Sequence, residues 1–137
     1  MQEALYIVWN AKNELDIPII DEQHRAIVST INSLFYFIHE KLTLVALKPT
    51  LHILSEYTKI HFTTEELLME KAGYTEFESH VLLHRQLAER TKAIAQSPLE
   101  RDSALEVLHF LKDWWLNHIN WEDRKYAPCV QRYLRIE

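Results

Sequence analysis

Apolar residues along this chain fall into four runs in which they return every third or fourth position, the spacing that gathers them on one side of an α-helix. The first run reads His24, Ile27, Ile31, Leu34 and Ile38, and the second Leu51, Leu54, Thr58, His61, Glu65, Leu68 and Ala72. The third reads Phe77, His80, His84, Leu87, Thr91 and Ile94, and the fourth Ala104, Leu108, Leu111, Trp115 and His118. Each run is long enough for a full helix, and connections of roughly three to eight residues favour antiparallel neighbours. The expected fold is therefore all-α: an up-down-up-down antiparallel four-helix bundle in one domain spanning residues 1–137.

Punctuation sets the expected boundaries. Glycine occurs once, at Gly73, and proline four times, so each is read as beginning or ending an element. Helix one starts near Asp21 as N-cap and runs to about Lys41. Helix two starts near Pro49 and stops at Gly73, a C′ residue. Helix three opens with Thr75 and Glu78 spaced as a capping box and ends before Pro98; helix four follows Ser97-Pro98 and ends near Ile119. Residues 1–20 form an irregular N-terminal arm, with Trp9 and Ile17 packing across one end of the bundle, and a short helical tail begins at about Glu122.

The informative positions are the polar ones on the apolar seams. A buried polar group without a partner costs on the order of 2–7 kcal/mol, so such positions need a reason. Residues four apart differ by only about 40° around a helix, so His61 with Glu65, and His80 with His84, each present two donors on one face. His24 lies early in helix one, His61 late in helix two, His80 early in helix three and His118 late in helix four. In an up-down-up-down bundle these positions share one end. Asp123 follows His118 by five residues, past the expected helix end, where the backbone can turn its carboxylate back beneath the cluster. The other three histidines serve as a control: His52 and His109 lie nine residues from seam histidines, about 180° around, and His39 lies roughly 22 Å along the axis from His24. These are surface residues.

A hydrogen-bond network among the seven is the bland explanation, but such networks seldom recruit five imidazoles. Five neutral nitrogens and two carboxylates are too many for one tetrahedral zinc and suit two octahedral-leaning ions sharing carboxylate bridges. Ligand type alone leaves iron, zinc, copper or nickel open.

Composition narrows the class further. The chain has 137 residues, 47% of them apolar, and a net charge of −5 from 15 basic and 20 acidic residues. No basic run exceeds a pair, so neither nucleic acid nor an anionic membrane is an expected partner. The first residues lack the apolar core of a signal peptide, and no apolar stretch approaches the roughly 18 residues of a bilayer span, so the expected location is cytoplasmic. The single cysteine, Cys129, is read as a free structural thiol.

The stretch Ile20-Asp21-Glu22-Gln23-His24, the stretch His61-Phe62-Thr63-Thr64-Glu65-Glu66 with Leu68-Met69, the pair His80 and His84, and Trp114 through His118-Ile119 to Asp123 and Tyr126 together resemble the hemerythrin family, in particular its single-domain bacterial members. That resemblance implies two iron ions in an oxygen-bridged non-haem diiron centre. His80, His84 and His118 would hold one iron and His24 with His61 the other, Glu65 and Asp123 would span both, and the second iron would keep an open position for dioxygen. It implies reversible binding of dioxygen for storage, delivery or sensing rather than catalysis. A redox enzyme acting on peroxide, nitric oxide or ferrous iron, and an oxygen-responsive signalling module, are the alternatives. Ile27, Phe62, Trp114 and Trp115 are expected to wall the oxygen pocket. Two departures from the family pattern stand out: Trp115 replaces the leucine usual three residues before the fourth-helix histidine, and Leu15-Asp16 occupies a stretch where relatives often carry glycine. Trp115 is expected to narrow oxygen access or shield the bound gas.

Overall fold

A computed structural model of the chain describes residues 5–40, 47–96, 98 and 101–135. Its helices are α1 (Pro18–His39), α2 (Leu47–Ala72), α3 (Phe77–Gln96), α4 (Arg101–Asn117) and α5 (Asp123–Leu134). The first four form the expected antiparallel bundle, in which α1 packs on α2 and α4, α2 on α3, and α5 docks against α2. The seams bury as their periodicity dictates: Ile27, Ile31, Leu34, Leu51, Leu54, Leu87, Leu108, Leu111 and Trp115 form one apolar cluster. A second, smaller cluster of Leu15, Ile17, Ile20, Met69, Tyr126, Ala127 and Val130 closes one end. Leu68 and Ala72, expected on the α2 seam, are only half-buried, and Met69 takes the buried position there.

Several boundaries differ from expectation, each for a local reason. Helix α1 begins at Pro18, whose fixed φ suits a first helical position. Asp21 lies inside that first turn, where its Oδ1 accepts the Leu15 N–H at 2.8 Å and holds the arm instead of capping the helix. Lys41, the expected end of α1, and Ser97 lie outside the described residues. Helix α2 begins two residues before Pro49, which costs nothing because the first N–H groups of a helix have no intrahelical acceptor. It ends at Ala72, followed by Gly73 at φ +74, as expected of a C′ glycine. Helix α3 starts at Phe77, with the His80 N–H donating to the Glu76 carbonyl, so the cap lies one residue beyond Thr75 and the Thr75–Glu78 box is out of register.

The largest departure is at the end of α4. No break occurs at Ile119; the rod continues through a π-helical turn, His118–Glu122, directly into α5. Pro128 likewise does not end an element but lies inside α5. Pro128 and Arg124 are both exposed, so the carbonyl that loses its donor faces water.

The arm is less irregular than expected. It contains a 3₁₀ turn, Ala11–Asn13, closed by reciprocal bonds between Asn10 and Asn13. Asn32 clamps the backbone of Ile7 through both its amide atoms, at 2.8 and 2.9 Å. Asn13 donates to Asn120 in the π turn at 2.9 Å, and Gln131 of α5 donates to the Leu15 carbonyl at 2.7 Å. Ile17 packs in the end cluster as anticipated, whereas Trp9 packs on the main cluster beside His24 and not across that end. Asp16 adopts φ +59, the left-handed region that glycine enters without strain and that aspartate tolerates better than most residues. No helix among the described residues is long and apolar enough to cross a membrane.

Candidate metal centre

Between the two apolar clusters lies one polar layer. His24, His61, Glu65, His80, His84, His118 and Asp123 are all buried, none more than 3% exposed. The three control histidines, His39, His52 and His109, are exposed. Every residue expected in the cluster is thus brought together, and every histidine expected outside it stays outside.

Asp123 sits between two histidine groups. Its Oδ2 lies 2.9 Å from His24 Nε2, while its Oδ1 lies 3.0 Å from His80 Nε2 and 2.8 Å from His118 Nε2. Glu65 Oε1 lies 3.0 Å from His61 Nε2 and 3.2 Å from His84 Nε2. The donor atoms accordingly divide into two groups that share both carboxylates: Glu65, His80, His84, His118 and Asp123 in one, His24, His61, Glu65 and Asp123 in the other. Within each group the donor atoms all lie within 4.8 Å of one another.

These short distances are not hydrogen bonds. His24 Nε2, His61 Nε2, His80 Nε2, Glu65 Oε1 and both Asp123 oxygens have no hydrogen-bond partner among the described residues, although each lies about 3 Å from an oppositely polar atom. The imidazole edges do not aim along the lines to the oxygens. Nitrogens and oxygens instead face common space, which is how ligands surround a cation and not how a self-satisfied network is built. Leaving such atoms unpaired costs on the order of 1–3 kcal/mol each, so the donor set fits metal ions and fits an internal network poorly.

The outer partners fix which nitrogen is free. Gln23 Oε1 can only accept, so at 2.8 Å it takes the Nδ1–H of His61 and leaves Nε2 with its lone pair. The Gln23 amide is oriented in turn by donation to Thr64 Oγ1 at 3.1 Å. Glu66 Oε2 does the same for His84, accepting its Nδ1–H at 2.8 Å. Tyr126 donates to Glu65 Oε2 from a fully buried position. These three supports went unassigned in the sequence, although Gln23 and Glu66 adjoin ligand candidates there. Adjacency alone says nothing of direction, since neighbouring helix residues point about 100° apart.

Electrostatics keep both carboxylates charged. Burial and the charge of Asp123 push Glu65 upward, yet the facing imidazoles of His61 and His84 hold it below the usual carboxylate range. Burial likewise opposes ionisation of Asp123, but His118, His24 and His80 bring it well below its ordinary value. Burial and the neighbouring His61 depress His24. His61 and His80 are buried as well, but the carboxylates facing them outweigh burial and raise both. Burial and the nearby Glu65 charge drive the Tyr126 phenol well above its ordinary range, so it remains a donor.

Aromatic rings wall the layer. Phe62 stacks on His84 with centroids 3.7 Å apart, and Trp114 stacks on His118 at 4.4 Å. Trp115 packs against His61 at 5.9 Å and His118 at 6.1 Å, and Ile27 is buried in the adjoining apolar cluster. Trp114 therefore covers the group with three imidazoles, while Phe62, also 5.9 Å from the His61 ring, and Trp115 reach both groups. Trp9 of the arm comes within 6.4 Å of the His24 ring, a wall residue that its distance along the chain concealed. Cys129 is half-buried and remote in role, its thiol donating to the Ala72 carbonyl at 3.4 Å.

Residues 15–130 match the Hemerythrin HHE cation binding domain family. The chain belongs to the hemerythrin family. It is 31% identical over 132 residues to a bacteriohemerythrin of Stenotrophomonas maltophilia, a match covering 93% of this chain and 84% of that one. A myohemerythrin of Theromyzon tessulatum is 28% identical over 118 residues, covering 86% and 88%. The crystal structure of a wild-type hemerythrin superimposes with a TM-score of 0.78 at 26% identity, covering 91% of this chain and 98% of that one. The resemblance seen in the motifs thus extends over residues 15–130, the stretch that carries all seven buried donors.

Proposed function

We propose that this hemerythrin binds dioxygen reversibly at a non-haem diiron centre, with His80, His84 and His118 on one iron, His24 and His61 on the other, and Glu65 and Asp123 spanning the pair. The single observation that carries the reading is the unequal division of one buried layer: three imidazoles against two, with both carboxylates shared. Equal coordination numbers would then leave room for a ligand on the side of His24 and His61. An iron pair held there would supply the reversible electron transfer that binding of the gas needs.

The chain's own residues do the rest. Gln23 and Glu66 keep His61 and His84 in the tautomer whose Nε2 can ligate. Tyr126 holds Glu65 in place by donating to the oxygen that faces away from His61. Ile27, Phe62, Trp114 and Trp115 would wall the pocket, with Phe62 and Trp115 beside His61, Trp114 on His118 and Ile27 in the adjoining apolar cluster.

The test is metal analysis together with the visible spectrum of reduced and re-oxygenated protein. Two irons per chain, with an oxygen-dependent absorption that disappears under vacuum and returns with air, is the expected result. Zinc in place of iron, or steady consumption of oxygen or peroxide with an added reductant, would replace this reading with another.

A further inference from the structure

Nine buried side-chain nitrogen and oxygen atoms among the described residues lack a hydrogen-bond partner, and seven of them belong to His24, His61, Glu65, His80 and Asp123. The other two are Thr91 Oγ1 and Trp115 Nε1. They differ in kind. A threonine hydroxyl in a helix can turn back to the carbonyl one turn earlier, so rotation about one bond is enough to give Thr91 an acceptor. The indole N–H cannot, because it moves only with its ring. That ring is fully buried and held by Trp114 at 5.3 Å, Phe62 at 5.8 Å, His61 at 5.9 Å and His118 at 6.1 Å.

Buried indole N–H groups normally find an acceptor. An indole is a donor only, so what completes this one must bring an acceptor atom. Among the described residues it has no hydrogen-bond partner, and the rings packed against it belong to Trp114, Phe62, His61 and His118. Among the described residues the polar groups whose rings pack on Trp115 belong to the metal centre, His61 of the two-imidazole group and His118 of the other. The His61 side is the one on which the proposed function leaves a coordination position for a small molecule.

We propose that the Trp115 N–H donates a hydrogen bond to a small ligand with a terminal acceptor atom bound beside His61, making Trp115 a specificity-determining residue of the pocket as well as part of its wall. The inference rests on the diiron reading. It predicts that ligands ending in an electron-rich atom gain affinity from Trp115, while the steric wall alone would treat ligands of equal size alike.

The probe is azide, a linear anion with an acceptor at each end, added to the oxidised, iron-loaded protein and followed by visible absorption. Trp115→Phe keeps an aromatic ring and removes the donor, and is expected to weaken azide binding about tenfold. Ultraviolet resonance Raman provides an independent readout: the indole N–H band of Trp115, isolated as the difference between wild type and Trp115→Phe, moves when azide binds. Should Trp115→Phe fail to fold, Trp115→Leu, which also removes the indole N–H, supplies the same difference spectrum and the same azide comparison. Azide affinity within twofold of wild type, or a band that does not move, overturns the proposal while two irons per chain leave the diiron reading intact. A chain that takes up no iron pair overturns both.

Discussion

Asp123 lies five residues after His118, yet its backbone N–H donates to the His118 carbonyl and its Oδ1 comes within 2.8 Å of His118 Nε2. In a regular α-helix five residues turn about 500°, leaving the two side chains about 140° apart. The π turn absorbs one extra residue, so that position five returns to the face that position four would occupy. Both residues thereby point into one layer without a break in the rod, and α5 continues with Tyr126 on that same inner face.

The length of this turn therefore controls the site. Deleting Trp121, which is 68% exposed, should convert the π turn to α-helix with Asp123 at the fourth position, and metal content should remain near wild type. Inserting an alanine after Trp121 should swing Asp123 and Tyr126 about 100° away and abolish binding of the full metal complement. Metal analysis of both variants after reconstitution checks the contrast; equal loading of the two would contradict it.

Gln23 acts on the metal only through His61. Gln23→Leu should leave the fold intact and reduce metal affinity about 10- to 100-fold, because the imidazole loses the acceptor that fixes its tautomer. Competition with a chelator measures this. Glu66→Gln should cost less, since its carbonyl oxygen can still accept the His84 Nδ1–H.

Tyr126→Phe removes a donor to a buried carboxylate without changing shape. Stability of the metal-free protein should fall by about 1–3 kcal/mol, read from denaturant midpoints at unchanged slope. The metal-loaded protein should lose less, because a cation then neutralises Glu65.

Asp21 gives the arm a pH dependence. Burial, together with the adjoining Glu14, raises its carboxyl to about 6, against the Leu15 N–H that favours the charged form. Tyr126 lies close enough to feel its charge. Since the folded-state value exceeds the unfolded one of about 3.9, the folded chain binds the proton more tightly. This group's contribution is thus fully present below about pH 4 and is lost as pH rises through about 6. Asp21→Asn mimics the protonated carboxyl and keeps an oxygen for Leu15. Its melting temperature relative to wild type should rise between pH 4.5 and pH 7.5; a difference constant across that window would refute the assignment.

Local pattern alone determined much of this protein. The 3,4 spacing of apolar residues fixes which side of each helix turns inward, and chain direction then puts His24, His61, His80 and His118 at one end, because antiparallel rods alternate early and late positions. The same arithmetic sends His39, His52 and His109 to the surface. Tertiary structure decided what depends on direction and on contacts distant in sequence. Asp123 joins the layer through a π turn that no residue pattern announces, since α- and π-turns share side-chain preferences and differ by a single residue of slack. Gln23 on His61, Glu66 on His84 and Tyr126 on Glu65 link helices whose rotation about their axes is set by packing to within a fraction of a turn. Asp21 caps nothing and holds the arm, because Pro18 starts the helix three residues sooner. Periodicity specifies a face; only the packed bundle specifies which atoms on that face meet.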